Sequence, residues 1–219
     1  MNNNIRPSKI HIIWAHPRHD SLTGRVVNAI SVEARQLGIE VDELDLYRSG
    51  FDPVLKPADE PDFKNPHKHY SDEVIRMAES LSGSDAAIIV FPVWWYSLPA
   101  MLKGYIDRVW NYGLLYGNGK RLPFAAIRWV ALVGGIQKRF EHEGKDRYMK
   151  SLLDDGIAIY CGVKDSTDTF LYNTLAYEEN TADLGAHHDV LIEEARTVVR
   201  ELHDGMLATG RDLEASAEN

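Results

Sequence analysis

Apolar positions along the chain recur with two spacings, and the spacing changes at regular intervals. Residues 10–16, IHIIWAH, are short, β-branched and apolar, the pattern of a buried strand. In DSLTGRVVNAISVEARQLG, residues 20–38, Leu22, Val26, Ile30, Ala34 and Leu37 share one helical face, with Asp20 or Ser21 available as N-cap and Gly38 as the stop. IEVDELDLY predicts a second strand, the polar, Pro-rich stretch from Gly50 to Lys68 a loop, SDEVIRMAESLSG a short helix and DAAIIVFP a third strand. Leu98, Met101, Leu102, Tyr105, Ile106, Val109 and Trp110 then form a helical stripe, with Pro99 in a first turn that tolerates its missing N–H. IRWVALVGG predicts strand four. A weaker helix at residues 144–153, a fifth strand at IAIYCGV or at DTFLY, and a helix from His187 to Asp204 complete the pattern; residues 206–219 read as a polar tail that frays.

Strands separated by helices imply right-handed crossovers onto a parallel sheet covered on both faces, the doubly wound α/β class, here as one domain over residues 1–205. Ligands of such sheets sit beyond the carboxyl ends of the strands. The turns at those ends are AHPRHDSLT after strand one, PVWWYS after strand three and GGIQKRF after strand four. Composition narrows the partners. A formal charge of −9 argues against nucleic acid or an anionic membrane surface. One cysteine excludes an internal disulfide framework, and no apolar run approaches the roughly 20 residues of a membrane span. The N-terminal MNNNIRPSK does not resemble a signal peptide, which makes the cytoplasm the expected compartment.

The first turn lacks the glycine fingerprints of dinucleotide-binding and P-loop domains, yet it suits an anion. Ser21 and Thr23 carry hydroxyls, a helix start offers free N–H groups, and His16 and Arg18 add donors. Two readings stand: a phosphate site, or a Ser21 or Asp20 that only caps the helix beside a His16 bonded within its loop. The aromatic turn also has two readings, a flat pocket wall or a surface packed on loops or a partner subunit. Gly134 and Gly135 allow close backbone approach to a ring, or serve simply as a turn.

On AHPRHDSLT, FPVWWYSLPAMLKGYIDRVW, the YG at 116–117 and the GG at 134–135, the chain resembles the flavodoxin-like NAD(P)H:quinone oxidoreductases, including the DT-diaphorase, drug-modulator and potassium-efflux-ancillary branches. The resemblance spans roughly residues 9 to 205 and implies a flavodoxin-like five-stranded sheet in the order 2-1-3-4-5. It implies that His16, Arg18, Ser21, Leu22 and Thr23 hold the flavin phosphate end. It also implies that the segment Pro92, Val93, Trp94, Trp95 and Tyr96 addresses the flavin ring, and that Gly134 and Gly135 face its pyrimidine edge and stabilise charge there. Tyr116 matches an aromatic contributed across a homodimer interface to the substrate cavity. Some relatives carry a Tyr and, six residues on, a His after the glycine pair; here Phe140 and Asp146 stand there, so that relay is not copied, and Lys138, His142 and Tyr148 read as loop residues.

The implied activity is ping-pong hydride transfer from NAD(P)H through flavin to a quinone or similar aromatic acceptor. An ancillary subunit of a membrane transporter and a flavodoxin-like electron carrier are the competing roles. The length of the Phe51–Tyr70 stretch, resembling a segment that covers an adenine, favours FAD over FMN. No fingerprint for a ribose 2′-phosphate is visible. His187 and His188 read as a helix start without metal ligands around them, Cys161 as buried and inert, Trp14, Trp110 and Trp129 as core, and KRFEHEGKDR as a solvated loop bordering the cavity.

Overall fold

The computed structural model describes residues 8–177 and 183–217, with side chains described for 8–177 and 183–208. Strands β1 (Lys9–Trp14), β2 (Glu40–Asp45), β3 (Ala86–Pro92), β4 (Ala126–Leu132) and β5 (Asp165–Leu171) form one sheet in the order β2-β1-β3-β4-β5, with every pair parallel. Between them run α1 (Leu22–Gln36), α2 (Asp72–Ser80), α3 (Ala100–Val109), α4 (Gln137–His142) and α5 (Lys145–Lys150), and α6 (Leu184–Ala217) follows β5. Strand alternation separates two cores. Ile10, Ile12 and Trp14 of β1 pack on the face covered by α1 and α6, whereas Ile13 and Ala15 pack on the face covered by α2, α3 and α5. β3 is buried at every position, as a central parallel strand covered on both faces must be. No helix among the described residues is long and apolar enough to cross a membrane.

Three elements differ from the sequence pattern. IAIYCGV is not a strand: α5 continues as a π-helix over Ser151–Ile159. Met149, Leu153, Ile157 and Cys161 recur every four residues and all face the core, so a helical period was present beneath the apolar run. DTFLY, extended back to Asp165, supplies β5. KRFEHEGKDR is not a loop either, because Phe140 buries its ring and α4 and α5 meet at Gly144, whose φ of 69° makes the break. The last helix starts three residues earlier than expected, where Asp183 Oδ1 accepts from the Gly185 and Ala186 N–H groups. The tail expected to fray is helical to Ala217, since MLATGRDLEASA has no proline and is rich in helix formers. Residues 218–219 lie outside the described residues.

The long connection between β2 and α2 is anchored by a buried ion cluster. Arg108 of α3, 1% exposed, donates from Nη2 to Asp59 Oδ2 (2.7 Å) and to Glu73 Oε2 (2.9 Å), and from Nη1 to the Asp52 carbonyl. Ser71 donates its N–H and hydroxyl to the Asp59 carboxylate, and Asn111 Nδ2 donates to the Asp59 carbonyl. Burial pushes the Asp59 carboxyl up, and the Arg108 and Ser71 hydrogen bonds outweigh it, holding it below the usual carboxylate range. At Gly104, a Cβ would lie 2.2 Å from the Pro53 carbonyl oxygen, so the loop seats on α3 only because that residue has no side chain. Arg108→Ala strands the Asp59 charge and is expected to cost about 3–5 kcal/mol in chemical denaturation. The double variant Arg108→Met with Asp59→Asn is expected to recover most of that loss.

A second buried cluster lies beneath the π-helix. Trp129 Nε1 donates to Ser166 Oγ, and the Ser166 hydroxyl donates to Asp154. Burial pushes the neighbouring Asp168 up to about 6, with the Lys150 ammonium 3.3 Å away opposing and the Asp154 carboxylate reinforcing the shift. The folded state therefore holds a proton that the unfolded chain has released. Stability carried by this group is present at acidic pH and is lost as pH rises from about 4 to about 6. Asp168→Asn is expected to flatten that part of the profile of melting temperature against pH.

Candidate functional site

At the end of β1 the chain turns through residues 15–21 into α1. Ser21 takes extended dihedrals and its Oγ accepts the Gly24 N–H at 3.2 Å, which makes it the N-cap. The capping bond uses an oxygen lone pair, so the Ser21 O–H remains a donor, and the N–H groups of Leu22 and Thr23 open the helix with no partner inside it. His16 Nδ1 lies 3.1 Å from the Arg18 N–H and 3.0 Å from the Arg18 carbonyl oxygen, so it accepts from the first or donates to the second according to the tautomer. Burial, with charge from Arg18 and Arg48, outweighs the Arg18 backbone contact and holds His16 below the ordinary imidazole range, which favours the neutral ring. In the tautomer that accepts the Arg18 N–H, the proton sits on Nε2 and is free to be donated to an anion. Arg48, just beyond β2, stiffens the turn by donating to the His16 and Pro17 carbonyls while stacked 5.1 Å over Trp14.

The aromatic turn after β3 is a two-residue hairpin. The Trp94 and Ser97 backbones exchange hydrogen bonds of 3.3 and 3.1 Å, and Trp95 and Tyr96 between them have φ of 53° and 56°. Positive φ at both central residues is the type I′ pattern, usually occupied by Asn and Gly. Left-handed aromatics cost roughly 1–2 kcal/mol each. The tight turn splays the rings: Trp94 lies 6.2 Å from His16, Tyr96 lies 5.8 Å from Phe140, and Trp95 is 94% exposed.

After β4, the Val133 and Gly135 carbonyls accept from Thr174 and Asn173, which ties the third turn to the end of β5. Among the described residues, a Cβ built on Gly134 would touch only the flexible Leu175 tip, at 3.0 Å, and one built on Gly135 would meet nothing beyond its chain neighbours within 4 Å. The space before this backbone is open.

Two contiguous cavities result. The one at the helix start, about 400 Å³, is lined by His16, Arg18, Ser21, Leu22 and Thr23 on one side and Pro92, Val93 and Trp94 on the other. The aromatic one, about 430 Å³, lies between Trp95 and Tyr96, the Gly134–Gly135 backbone, and Phe140. Val93, Gly134 and Leu175 line both. A helix start with unpaired donors, joined to a flat aromatic slot by open glycine backbone, has the shape and donor set for a planar ring system carrying a phosphate.

Tyr116 lines neither cavity; its ring packs 5.9 Å from Tyr112 and 5.5 Å from Tyr160. The Phe51–Tyr70 stretch, on which the preference for FAD rested, also lines neither, because the Asp59–Arg108 cluster ties it to α3. Sequence reasoning missed Leu175 and Tyr177, since it left two candidates for β5 and so did not locate the turn after it. KRFEHEGKDR borders the cavity as expected, through Arg139, Phe140 and Glu143, but as α4 and its C-cap and not as a loop. His187 and His188, read as a helix start or surface packing, place Nε2 3.0 and 3.1 Å from the Asn173 and Thr174 carbonyls, and His188 borders the cavity at the start of α1. No group of three or more potential metal ligands occurs among the described residues. Trp14, Trp110 and Trp129 are core, and burial pushes the Cys161 thiol up to about 11.

Fold and cavities together define a flavodoxin-type α/β protein. The chain belongs to the family described as having the flavodoxin-like fold, whose model matches residues 8–194. It is 46% identical over 195 residues to the uncharacterized NAD(P)H oxidoreductase YcaK of Escherichia coli (strain K12), covering 89% of this chain and 98% of that one. It is 28% identical to the glutathione-regulated potassium-efflux system ancillary protein KefF of Enterobacter sp. (strain 638), over 82% of this chain and 92% of the relative. Among solved structures it is similar to the NAD(P)H:quinone oxidoreductase from Methanothermobacter marburgensis, with a TM-score of 0.81 and 25% identity over 90% of this chain and 98% of that one.

The open face at Gly135 yields a direct test of the slot. Gly135→Val is expected to keep the fold, because none of the described residues opposes a side chain there, and to weaken flavin binding at least tenfold in a fluorescence titration.

Proposed function

We propose that this protein is a flavin-dependent NAD(P)H:quinone oxidoreductase. The observation that carries the reading is the junction of an anion-binding helix start with a broad aromatic slot, joined along the Gly134–Gly135 backbone. When bound, the flavin supplies the two-electron hydride relay between a nicotinamide and an acceptor. The chain's own groups do the holding. The Leu22 and Thr23 N–H groups, the Ser21 and Thr23 hydroxyls and the His16 Nε2–H address the phosphate, and Arg18 adds charge. Trp94, Trp95 and Tyr96 wall the ring site, and the Gly134 and Gly135 backbone lies where preorganised N–H donors meet charge on a ring edge. With the flavin ring in the slot, its open face would serve nicotinamide and acceptor in turn, which gives ping-pong kinetics.

Flavin mononucleotide is the form this arrangement favours, since the loop that was to cover an adenine is tied away on α3. A second copy of the chain would cover the exposed Trp95 and the aromatic line formed by Phe63, Tyr112, Tyr116 and Tyr160. Sedimentation at micromolar concentration should then give a homodimer. The likeness to the potassium-efflux ancillary protein supports a transporter-linked role less well, because a regulatory surface has no need of an open aromatic slot.

The test is an anaerobic absorption spectrum of protein incubated with FMN or FAD. A flavin band that bleaches with NADPH or NADH and returns with menadione is expected, and chromatography of the heat-released cofactor identifies its form. Absence of a flavin band after incubation with either cofactor would sink the assignment.

A further inference from the structure

The turn that leads into α1 is held by a side chain from outside it. Among the described residues, none of residues 16–20 takes part in a backbone-to-backbone hydrogen bond. Arg48, 31 residues after Pro17, supplies the missing anchor. Its Nη1 donates to the Pro17 carbonyl at 3.0 Å and its Nη2 to the His16 carbonyl. The guanidinium is fixed in turn, because Nε donates to the Asp45 carboxylate and the rings of Trp14 and Tyr47 lie 5.1 and 5.7 Å away. Asp45 is itself held by the Tyr47 and Arg48 N–H groups on its Oδ1. All three guanidinium nitrogens therefore have assigned partners, and two of those partners are carbonyls of the turn.

We propose that Arg48 is a positioning residue that acts through the Pro17–Arg18 peptide to set the tautomer of His16, and with it the donor offered to the flavin phosphate. The inference rests on the reading of the cavity at the start of α1 as the phosphate end of a flavin site. In a planar trans peptide the C=O and the following N–H point in opposite directions. Holding the Pro17 oxygen on Arg48 therefore turns the Arg18 N–H away from the guanidinium and onto His16 Nδ1, 3.1 Å distant. An N–H aimed at Nδ1 requires a lone pair there, so the ring proton goes to Nε2, and His16, which lines the cavity, presents a donor. The opposite tautomer sets two N–H groups head to head and offers an anion a bare lone pair. The Arg18 carbonyl, which that tautomer would satisfy, belongs to an exposed residue and can be satisfied by water. Burial is the main cause that keeps the ring neutral; the Arg18 and Arg48 charges assist, and the Arg18 backbone contact and Asp20 oppose.

The experiment reads the His16 tautomer from its ring nitrogen shifts by NMR in the full chain, and titrates FMN and riboflavin by flavin fluorescence. The wild type is expected to carry the ring proton on Nε2 and to bind FMN at least about tenfold tighter than riboflavin. Arg48→Met keeps an apolar stem over Trp14 without the fork. It should mix the tautomers and weaken FMN by roughly five- to tenfold, with riboflavin held within about twofold. Arg48→Lys keeps the charge, but one ammonium does not replace a fork on two carbonyls, so its FMN affinity should stay within about twofold of the Met variant. A wild-type proton on Nδ1, an unchanged tautomer in Arg48→Met, equal losses for both flavins, or full recovery in Arg48→Lys overturns the proposal and leaves the oxidoreductase reading intact. If the wild type binds neither flavin, that underlying reading fails and the proposal falls with it.

Discussion

The parallel pairing of β1, β3 and β4 is the constraint on which the site depends. Parallel strands place all their carboxyl ends along one edge of the sheet, and the register sets Trp14 beside Val90 and Pro92 beside Leu132. The turns that follow therefore emerge side by side, although they are separated by about eighty and forty residues in the chain. One brings a helix start, another an aromatic hairpin and the third a glycine pair. None is a binding site alone. Ladder hydrogen bonds continue beyond the strands, from Ala15 N–H to Val90 and from Val93 N–H to Leu132, so the first residues of each turn are held as firmly as the sheet.

Rigidity at that edge permits a local conformation that the residue types disfavour. Two consecutive left-handed aromatic residues persist at Trp95–Tyr96 because the Trp94–Ser97 hydrogen bonds close the turn and the Val93 bond anchors it to β4. The same turn divides the rings among three surroundings: the cavity at the start of α1, the aromatic cavity and solvent. Away from those turns, the Arg108–Asp59 cluster fixes the long loop without placing it at the site. Chain length in that loop serves packing on α3, and it does not enlarge the ligand pocket.

Much of this architecture is legible in the amino-acid sequence, and for local reasons. A fully apolar β3, a helical face from Leu22 to Leu37 and a serine ahead of it each declare themselves within about a dozen residues, because strand period, helix period and capping are short-range effects. Alternation of those elements is sufficient for the sheet class, and the class indicates which turns face a ligand. His16, Arg18, Ser21, Leu22 and Thr23, the segment from Pro92 to Tyr96, and the Gly134–Gly135 pair all lie on those turns and line the two cavities. The fifth strand is ambiguous in the sequence because an apolar run of seven residues fits either period. Only its partner decides the matter: β4 pairs with Asp165–Leu171, while IAIYCGV follows the four-residue repeat of the helix that precedes it.

Near neighbours in the chain thus specify the elements, their caps, the crossover topology and the chemical character of each turn. Folding settles whatever depends on distant residues meeting. Arg108 meets Asp59 across 49 residues and removes the long loop from the pocket, Leu175 and Tyr177 enter the slot from beyond β5, and Lys145 comes to lie on Tyr96. Such contacts are set by packing and electrostatics between surfaces that exist only in the folded chain, so no local pattern of residues encodes them.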